Sequence, residues 1–188
     1  MLSTYIERRY GSKRGLLRLI RHQWRWVTGR YRRLGRVDFD RVERLVFICS
    51  GNICRSAFGE WYARSLGLQA DSYGLHTRGG DPADPRAIDF AARQGIDMSG
   101  HVTKNFDGYT PRPNDLILVM EPDQAREICQ RMNLDGCPSK PQMGILPLFN
   151  RPPVAYLHDP FCANADFFDL CETRVMQAVD RIGERLAR

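Results

Sequence analysis

Residues 44–56 read RLVFICSGNICRS. A short apolar run, Leu45–Cys49, leads into a loop holding Gly51 and Asn52, and a helical pattern begins at Ser56. A run this short and this rich in apolar residues predicts a strand buried on both faces, as in a parallel sheet. Glycine and asparagine are the residues best able to take positive φ, so successive N–H groups of the loop can turn inward. Such a nest in front of a helix N-terminus binds an anion of phosphate size. Arg55 adds a planar two-pronged donor for the same anion. These positive groups surround Cys49 and favour its thiolate, and a thiolate beneath a phosphate cradle is a nucleophile for phosphoryl transfer.

Outward from this stretch, strand and helix patterns alternate. Ser56–Leu66 reads as a helix ended at Gly67, Ala70–Tyr73 as a weaker strand, and Arg86–Gln94 as a helix ended by Gly95. Asp115–Met120 is a second strong buried strand, and Pro122 opens a helix running to about Met132. Ile145–Phe149 reads as a fourth strand, with Pro138–Gln142 before it and Pro152–Pro153 after it as loops. The final helix, Ala165–Leu186, sets Phe168, Cys171, Val175, Val179, Ile182 and Leu186 on one face. Strands alternating with helices predict an α/β fold with a parallel sheet and right-handed crossovers. Sites in such sheets lie at the carboxyl ends of strands, where the Cys49 loop stands.

The chain has 188 residues, 43% hydrophobic and 27% charged, which fits one globular core and excludes wholesale disorder. No apolar run approaches the ~20 residues of a membrane span. Six cysteines (Cys49, Cys54, Cys129, Cys137, Cys162 and Cys171) in a core-rich chain predict reduced thiols. Glu7, Arg8 and Arg9 stand where the apolar segment of a secretory leader would build, so a cytoplasmic protein is expected.

A net charge of +6 raises nucleic acid, an anionic membrane and a phosphorylated substrate as partners. The charge is uneven. Residues 1–36 hold eleven basic residues and one acid, net +10, while the remainder holds seventeen basic and twenty-one acidic residues, net −4. This break near Val37 divides the chain into a basic extension, residues 1–40, and a main domain, residues 41–188. Within the extension Leu17, Ile20, Trp24, Val27, Tyr31 and Leu34 recur at helical spacing, which predicts a basic amphipathic helix. Four occupants of its apolar face stay open: an anionic membrane surface at the inner leaflet, another protein, the main domain itself, and a second copy. A transit peptide would hold more serines than Ser3 and Ser12. Nucleic acid is not expected, because the main domain is acidic.

The stretch CSGNICRS, Cys49–Ser56, resembles the phosphate-binding loop of low-molecular-weight protein-tyrosine phosphatases. It is also similar to that of their relatives, the thioredoxin-coupled arsenate reductases. Further similar stretches are Ser72 before Gly74, PADPRAIDFAARQGIDMSGH at residues 82–101, DLILVME at residues 115–121, and Asp159-Pro160. The resemblance runs from Arg44 to about Arg188. It implies a four-stranded parallel sheet flanked by helices on both faces, with the phosphate-binding loop after the first strand. It also implies hydrolysis of phosphotyrosine in a protein, a tyrosine kinase among the candidate substrates, with neither metal nor cofactor.

Residue by residue, the resemblance gives Cys49 the role of nucleophile and Arg55 that of phosphate ligand. Asp159 becomes general acid and then base, and Ser56 a hydrogen-bond donor to the thiolate. Ser50, Gly51, Asn52, Ile53 and Cys54 complete the phosphate-binding loop, supported by Asn52, Ser56, Ser72 and His101. Cys54 resembles the neighbour that traps Cys49 as a reversible disulfide under oxidation. Phe161 and Arg78 stand at the substrate rim. Where the family carries tyrosine or another aromatic after Asp-Pro, often as a pair, this chain has Phe161 and Cys162, so the rim keeps one ring and no hydroxyl. Ile53 offers an apolar wall for an aromatic ring, where arginine-phosphate phosphatases of the family resemble each other in having threonine. Two other readings remain: an arsenate reductase whose thiol relay would use Cys129 and Cys137, and an anion-binding adaptor, for which Asp159 would have no use.

Overall fold

Period-two alternation sends Leu45, Phe47 and Cys49 of strand β1 (Arg44–Cys49) into one apolar cluster and Val46 and Ile48 into another. Both faces of the strand are covered, which is why the run shows no polar alternation. Strand β3 (Asp115–Val119) repeats the pattern, with Leu116 and Leu118 on the first face and Ile117 and Val119 on the second. Strands β2 (Ala70–Gly74) and β4 (Gln142–Ile145) complete a four-stranded parallel sheet in the order β2-β1-β3-β4. The computed structural model describes residues 2–132 and 140–187.

Helices α3 (Arg55–Ser65), α4 (Pro85–Arg93) and α6 (Ala165–Leu186) cover the first face through Phe58, Phe90, Phe168 and Val175. Helix α5 (Pro122–Met132) covers the second face through Ala125 and Ile128. Helix α3 crosses β1 so closely that a Cβ on Gly59 would stand 2.9 Å from the Phe47 ring. Burying one such phenyl ring stabilises the fold by roughly 1.5–3 kcal/mol. The α/β fold expected from strand–helix alternation is therefore the observed one.

Two sequence expectations need correction. The fourth strand occupies Gln142–Ile145, and Leu146–Phe149 forms a 3-10 turn instead of the strand expected there. Pro147 has no N–H to give to a ladder, so pairing stops before it. Gly144, with Phe149 and Leu118 side chains 3.4 and 3.5 Å from a notional Cβ, disguised the true strand by its low strand propensity.

The second correction concerns the basic extension. Helix α1 (Leu2–Tyr10) packs on α6, and helix α2 (Lys13–Val27) follows a Ser12 cap whose hydroxyl accepts from the Gly15 N–H at 2.9 Å. The six-residue apolar face does not exist as one surface. Helix α2 ends before Gly29, at φ 81, and the chain turns so that Tyr31 and Leu34 pack against the second core cluster. Leu17, Ile20, Trp24 and Val27 point outward. The face turned to the domain is Gly15, Leu19, His22 and Trp26, at the same helical spacing. It meets residues 153–158, whose backbone and ring hydroxyl need polar partners. Gln23 Nε2 donates to the Pro153 carbonyl at 3.1 Å, and its Oε1 accepts from the Ala155 N–H at 3.0 Å.

Candidate active site

The loop after β1 is held from outside through its carbonyls. Leu75 N–H donates to the Cys49 carbonyl at 3.0 Å, His76 N–H to Ser50 at 2.8 Å, and Asp84 N–H to Ile53 at 2.9 Å. His101 Nε2 lies 2.8 Å from the Asn52 carbonyl. In a planar trans peptide the C=O and the following N–H point oppositely. Four carbonyls bonded outward therefore turn the N–H groups of Ser50, Gly51, Ile53 and Cys54 into the loop, directly before the N-terminus of α3. That is an anion-binding concavity built from backbone alone. Gly74 makes room for it: a Cβ there would stand 2.9 Å from both Gly51 C and Ser50 O.

Side chains fix the loop's shape. Asn52 takes φ 58, and its Nδ2 donates to Ser56 Oγ at 3.0 Å and Ser72 Oγ at 2.7 Å. Its Oδ1 accepts from the Lys104 N–H at 2.8 Å. Ser72 in turn donates to Glu60 Oε2, and Lys104 Nζ pairs with Glu60 and Asp71. Because Ser56 Oγ already accepts from Asn52, its own hydrogen is free for Cys49 Sγ, 2.9 Å away. Asn52 N–H donates to the same sulfur at 3.2 Å. Two donors on one sulfur suit a thiolate. Trp61 Nε1 donates to His101 Nδ1 at 3.1 Å, which leaves the ring proton on Nε2 to meet the Asn52 carbonyl. Burial lowers the His101 proton affinity and keeps the ring in this neutral tautomer.

Arg55 is 1% exposed at the head of α3. Its Nη1 donates to the Leu157 carbonyl at 2.7 Å and to Glu121 Oε1 at 3.1 Å, and its Nη2 pairs with Asp159 Oδ2 at 3.0 Å. Nε is buried without a hydrogen-bond partner, so one donor of the fork is left over. Burial alone would lower the Arg55 pKa, but Asp159, Glu121 and Cys49 reverse this and hold the guanidinium charged.

Cys49, Ser50, Gly51, Ile53, Cys54, Arg55, Asp159 and Phe161 line one pocket together with His76. The loop, the nucleophile candidate, the arginine and the carboxylate singled out in the sequence therefore meet, with Ser72 and His101 beneath them. Arg78 is exposed and does not belong to that lining; His76 takes its place on the rim. Cys129 lies in α5, packed against the second core cluster, and Cys137 falls outside the described residues. Among the described residues no group of three or more His, Cys, Asp or Glu is placed to hold a metal ion.

Other contributors were missed, Lys104 among them, whose N–H donates to Asn52 and whose Nζ pairs with Glu60 and Asp71. Glu121 follows β3 by two residues, and its position at a strand's carboxyl end was the available signal. Glu60 was signalled as the one acidic residue of α3, set amid apolar neighbours. Arg86 Nη2 donates to Asp84 Oδ2 at 2.7 Å and to the Phe161 carbonyl at 2.6 Å, tying the rim to α4, and no sequence pattern announced it. Glu172 of α6 is fully buried with neither oxygen hydrogen-bonded, and burial pushes its carboxyl up to about 8 against the pull of Arg55.

The fold and site together define an α/β protein with a cysteine and a buried arginine bracketing a phosphate-sized backbone cradle. Residues 44–188 match the family model for the low molecular weight phosphotyrosine protein phosphatases, and the chain belongs to that family. It is 38% identical over 92 residues to a probable low molecular weight protein-tyrosine-phosphatase, EpsP, of Ralstonia solanacearum, covering 48% of this chain and 63% of that one. The low molecular weight protein-tyrosine-phosphatase Etp of Escherichia coli K12 is 36% identical over 90 residues, 47% of this chain and 61% of that one. These matches span less than two thirds of the relatives' own length. The crystal structure of the Erwinia amylovora tyrosine phosphatase amsI superposes with a TM-score of 0.66 at 26% identity, over 78% of this chain and 95% of that one.

Proposed function

We propose that the chain hydrolyses phosphotyrosine in protein substrates through a phosphocysteine intermediate. The observation that carries this reading is the meeting of Cys49, with two donors on its sulfur, and Arg55, held between Asp159 and Glu121, in one pocket. The phosphoryl oxygens take the inward N–H groups of the loop and a share of Arg55, displacing Asp159 from Nη2. The Cys49 thiolate attacks phosphorus, the bond to the phenolic oxygen breaks, and that oxygen takes a proton from Asp159. Water then attacks the phosphocysteine, gives its proton to Asp159, and releases phosphate and the thiolate. The cradle and Arg55 stabilise charge on the phosphoryl group in both steps. Ile53 and Phe161 supply apolar walls for the substrate ring.

Relatives named as tyrosine phosphatases support a phosphotyrosine protein as substrate, and a tyrosine kinase as that protein rests on the sequence resemblance alone. The arsenate-reductase relay is disfavoured by Cys129, which packs into the core on the α5 side instead of lining the pocket. Cys54 fits a protective part: once peroxide has oxidised Cys49 to the sulfenic acid, the Cys54 thiol condenses with it, forming a disulfide and releasing water. Burial, followed by Glu172, Cys49 and Asp84 nearby, pushes the Cys54 thiol up.

Steady-state hydrolysis of an aryl phosphate in the presence of a chelator tests the reading. Cys49→Ser abolishes turnover; turnover surviving in that variant overturns the phosphocysteine. Asp159→Asn lowers kcat by about 10²–10⁴-fold, the range for a lost general acid, while inorganic phosphate still inhibits.

A further inference from the structure

Helix α2 has two faces of different character. The inner one, Gly15, Leu19, His22 and Trp26, is set against the domain. The outer one carries Leu17, Ile20, Trp24 and Val27, exposed by 67%, 57%, 64% and 72%. Their spacing puts them on a single stripe along the helix. Leu2 and Tyr5 of α1 are likewise exposed. Lys13, Arg14 and Arg21 stand exposed beside the stripe, while Arg18 turns to the Tyr156 hydroxyl and Glu121, and no acidic residue occurs between Arg8 and Val37.

We propose that this outer face binds an anionic lipid surface, with α2 lying in the plane of the interface. Charge chooses among the occupants. A second copy would bring the same stripe ringed by the same cations, so face-to-face pairing sets like charges against each other. An anionic bilayer offers both chemistries the face requires: an acyl boundary for Leu17, Ile20, Trp24 and Val27, and headgroup phosphates for the surrounding guanidinium groups. Trp24 suits the boundary through its apolar ring and polar N–H. Arginine stems reach past an apolar stripe while keeping their charged ends at the headgroups. Because the inner face already docks on the domain, the helix is formed before binding and no folding cost is added at the membrane. Among the described residues no helix is long and apolar enough to cross a bilayer, so attachment is peripheral. None of Leu17, Ile20, Trp24, Val27, Arg14 and Arg21 lines the pocket, so the lipid contact can fail while the catalytic reading stands.

The test is co-sedimentation of the 188-residue chain with vesicles of phosphatidylcholine alone and of phosphatidylcholine with phosphatidylglycerol. Binding is expected to the second only, falling as salt is raised. The double variant Leu17→Ser, Trp24→Ser loses about tenfold or more in partition. Arg14→Gln and Arg21→Gln each lose roughly fivefold, the factor one basic residue contributes at an anionic surface. Unaltered far-ultraviolet circular dichroism and thermal unfolding in these surface variants show that folding is intact. No sedimentation with anionic vesicles overturns the proposal. So does full binding by the Leu17→Ser, Trp24→Ser variant, which would reduce the interaction to charge alone. A dimer in light scattering that this variant dissolves, without vesicle binding, would instead assign the face to a second copy.

Discussion

Asn52 holds φ 58 while its side chain and carbonyl reach Ser56, Ser72, Lys104 and His101. Asparagine is one of the few residues that tolerate this backbone region and can use it for hydrogen bonding. Asn52→Ala keeps the strain, roughly 1–2 kcal/mol, and leaves buried partners unpaired at about 1–3 kcal/mol each. The expected outcome is a clear loss of stability in denaturant titration together with loss of aryl phosphate turnover. Asn52→Gly relieves the strain and recovers part of the stability, but not the turnover. Stability equal in Asn52→Ala and wild type would remove Asn52 from this role. Cys49, Asn52, Arg55 and Ser56 were legible in the sequence because they lie within one short stretch, residues 49–56. Glu121, Arg86 and Lys104 were not, because strand register and helix placement bring them to the loop from distant positions.

At the scale of elements, α6 illustrates how a buried face can carry a charge in disguise. Its apolar spacing was readable, yet Glu172 sits on the buried side with both oxygens unpartnered. Burial raises this carboxyl to about 8, against the ordinary glutamate value of 4.5. The unfolded chain therefore releases the proton first as pH rises. It binds fewer protons than the folded state between these values, and stability falls with rising pH across that window. Glu172 thus contributes stability below about 4.5 that is lost progressively up to about 8. Glu172→Gln carries no titratable proton, so its stability should decline less than that of wild type when pH is raised from about 6 to about 8 in thermal or denaturant unfolding. Parallel profiles for the two proteins would contradict the assignment. The same element scale explains the misplaced fourth strand: Pro147 and Gly144 invert local propensity, and the partner strand decides the ladder through Leu116↔Gln142.

Across the whole molecule, the extension and the site meet at residues 156–158. His158 Nε2 lies 3.2 Å from Ser12 Oγ, its Nδ1 lies 2.8 Å from the Tyr156 hydroxyl, and Arg18 Nη1 donates to that hydroxyl at 3.4 Å. His22 stacks on Tyr156 with ring centroids 5.3 Å apart. Leu157 accepts from Arg55, and Asp159 follows directly. The segment bearing the carboxylate is thus clamped between α2 and α6. A Cβ on Gly15 would meet the Tyr10 carbonyl first and, beyond it, the His158 ring 2.8 Å away. Gly15→Val should therefore destabilise by about 1–3 kcal/mol, the usual cost of overpacking. It should also lower kcat for aryl phosphate by displacing Asp159, with inhibition by inorganic phosphate little changed. Unchanged kcat in a destabilised Gly15→Val protein would separate the extension from the site.

By itself the sequence determined the strand–loop–helix at residues 44–56, the α/β alternation and the strongly basic extension. Each is set by neighbours along the chain: period-two burial, turn residues with the needed φ, and local charge. Tertiary structure alone decided which face of α2 docks, where β4 pairs, and which carboxylates reach Arg55. Those outcomes depend on the polar groups and ladder partners that distant segments present, and a stripe of Leu, Ile, Trp and Val does not reveal whether its own domain offers a surface to receive it.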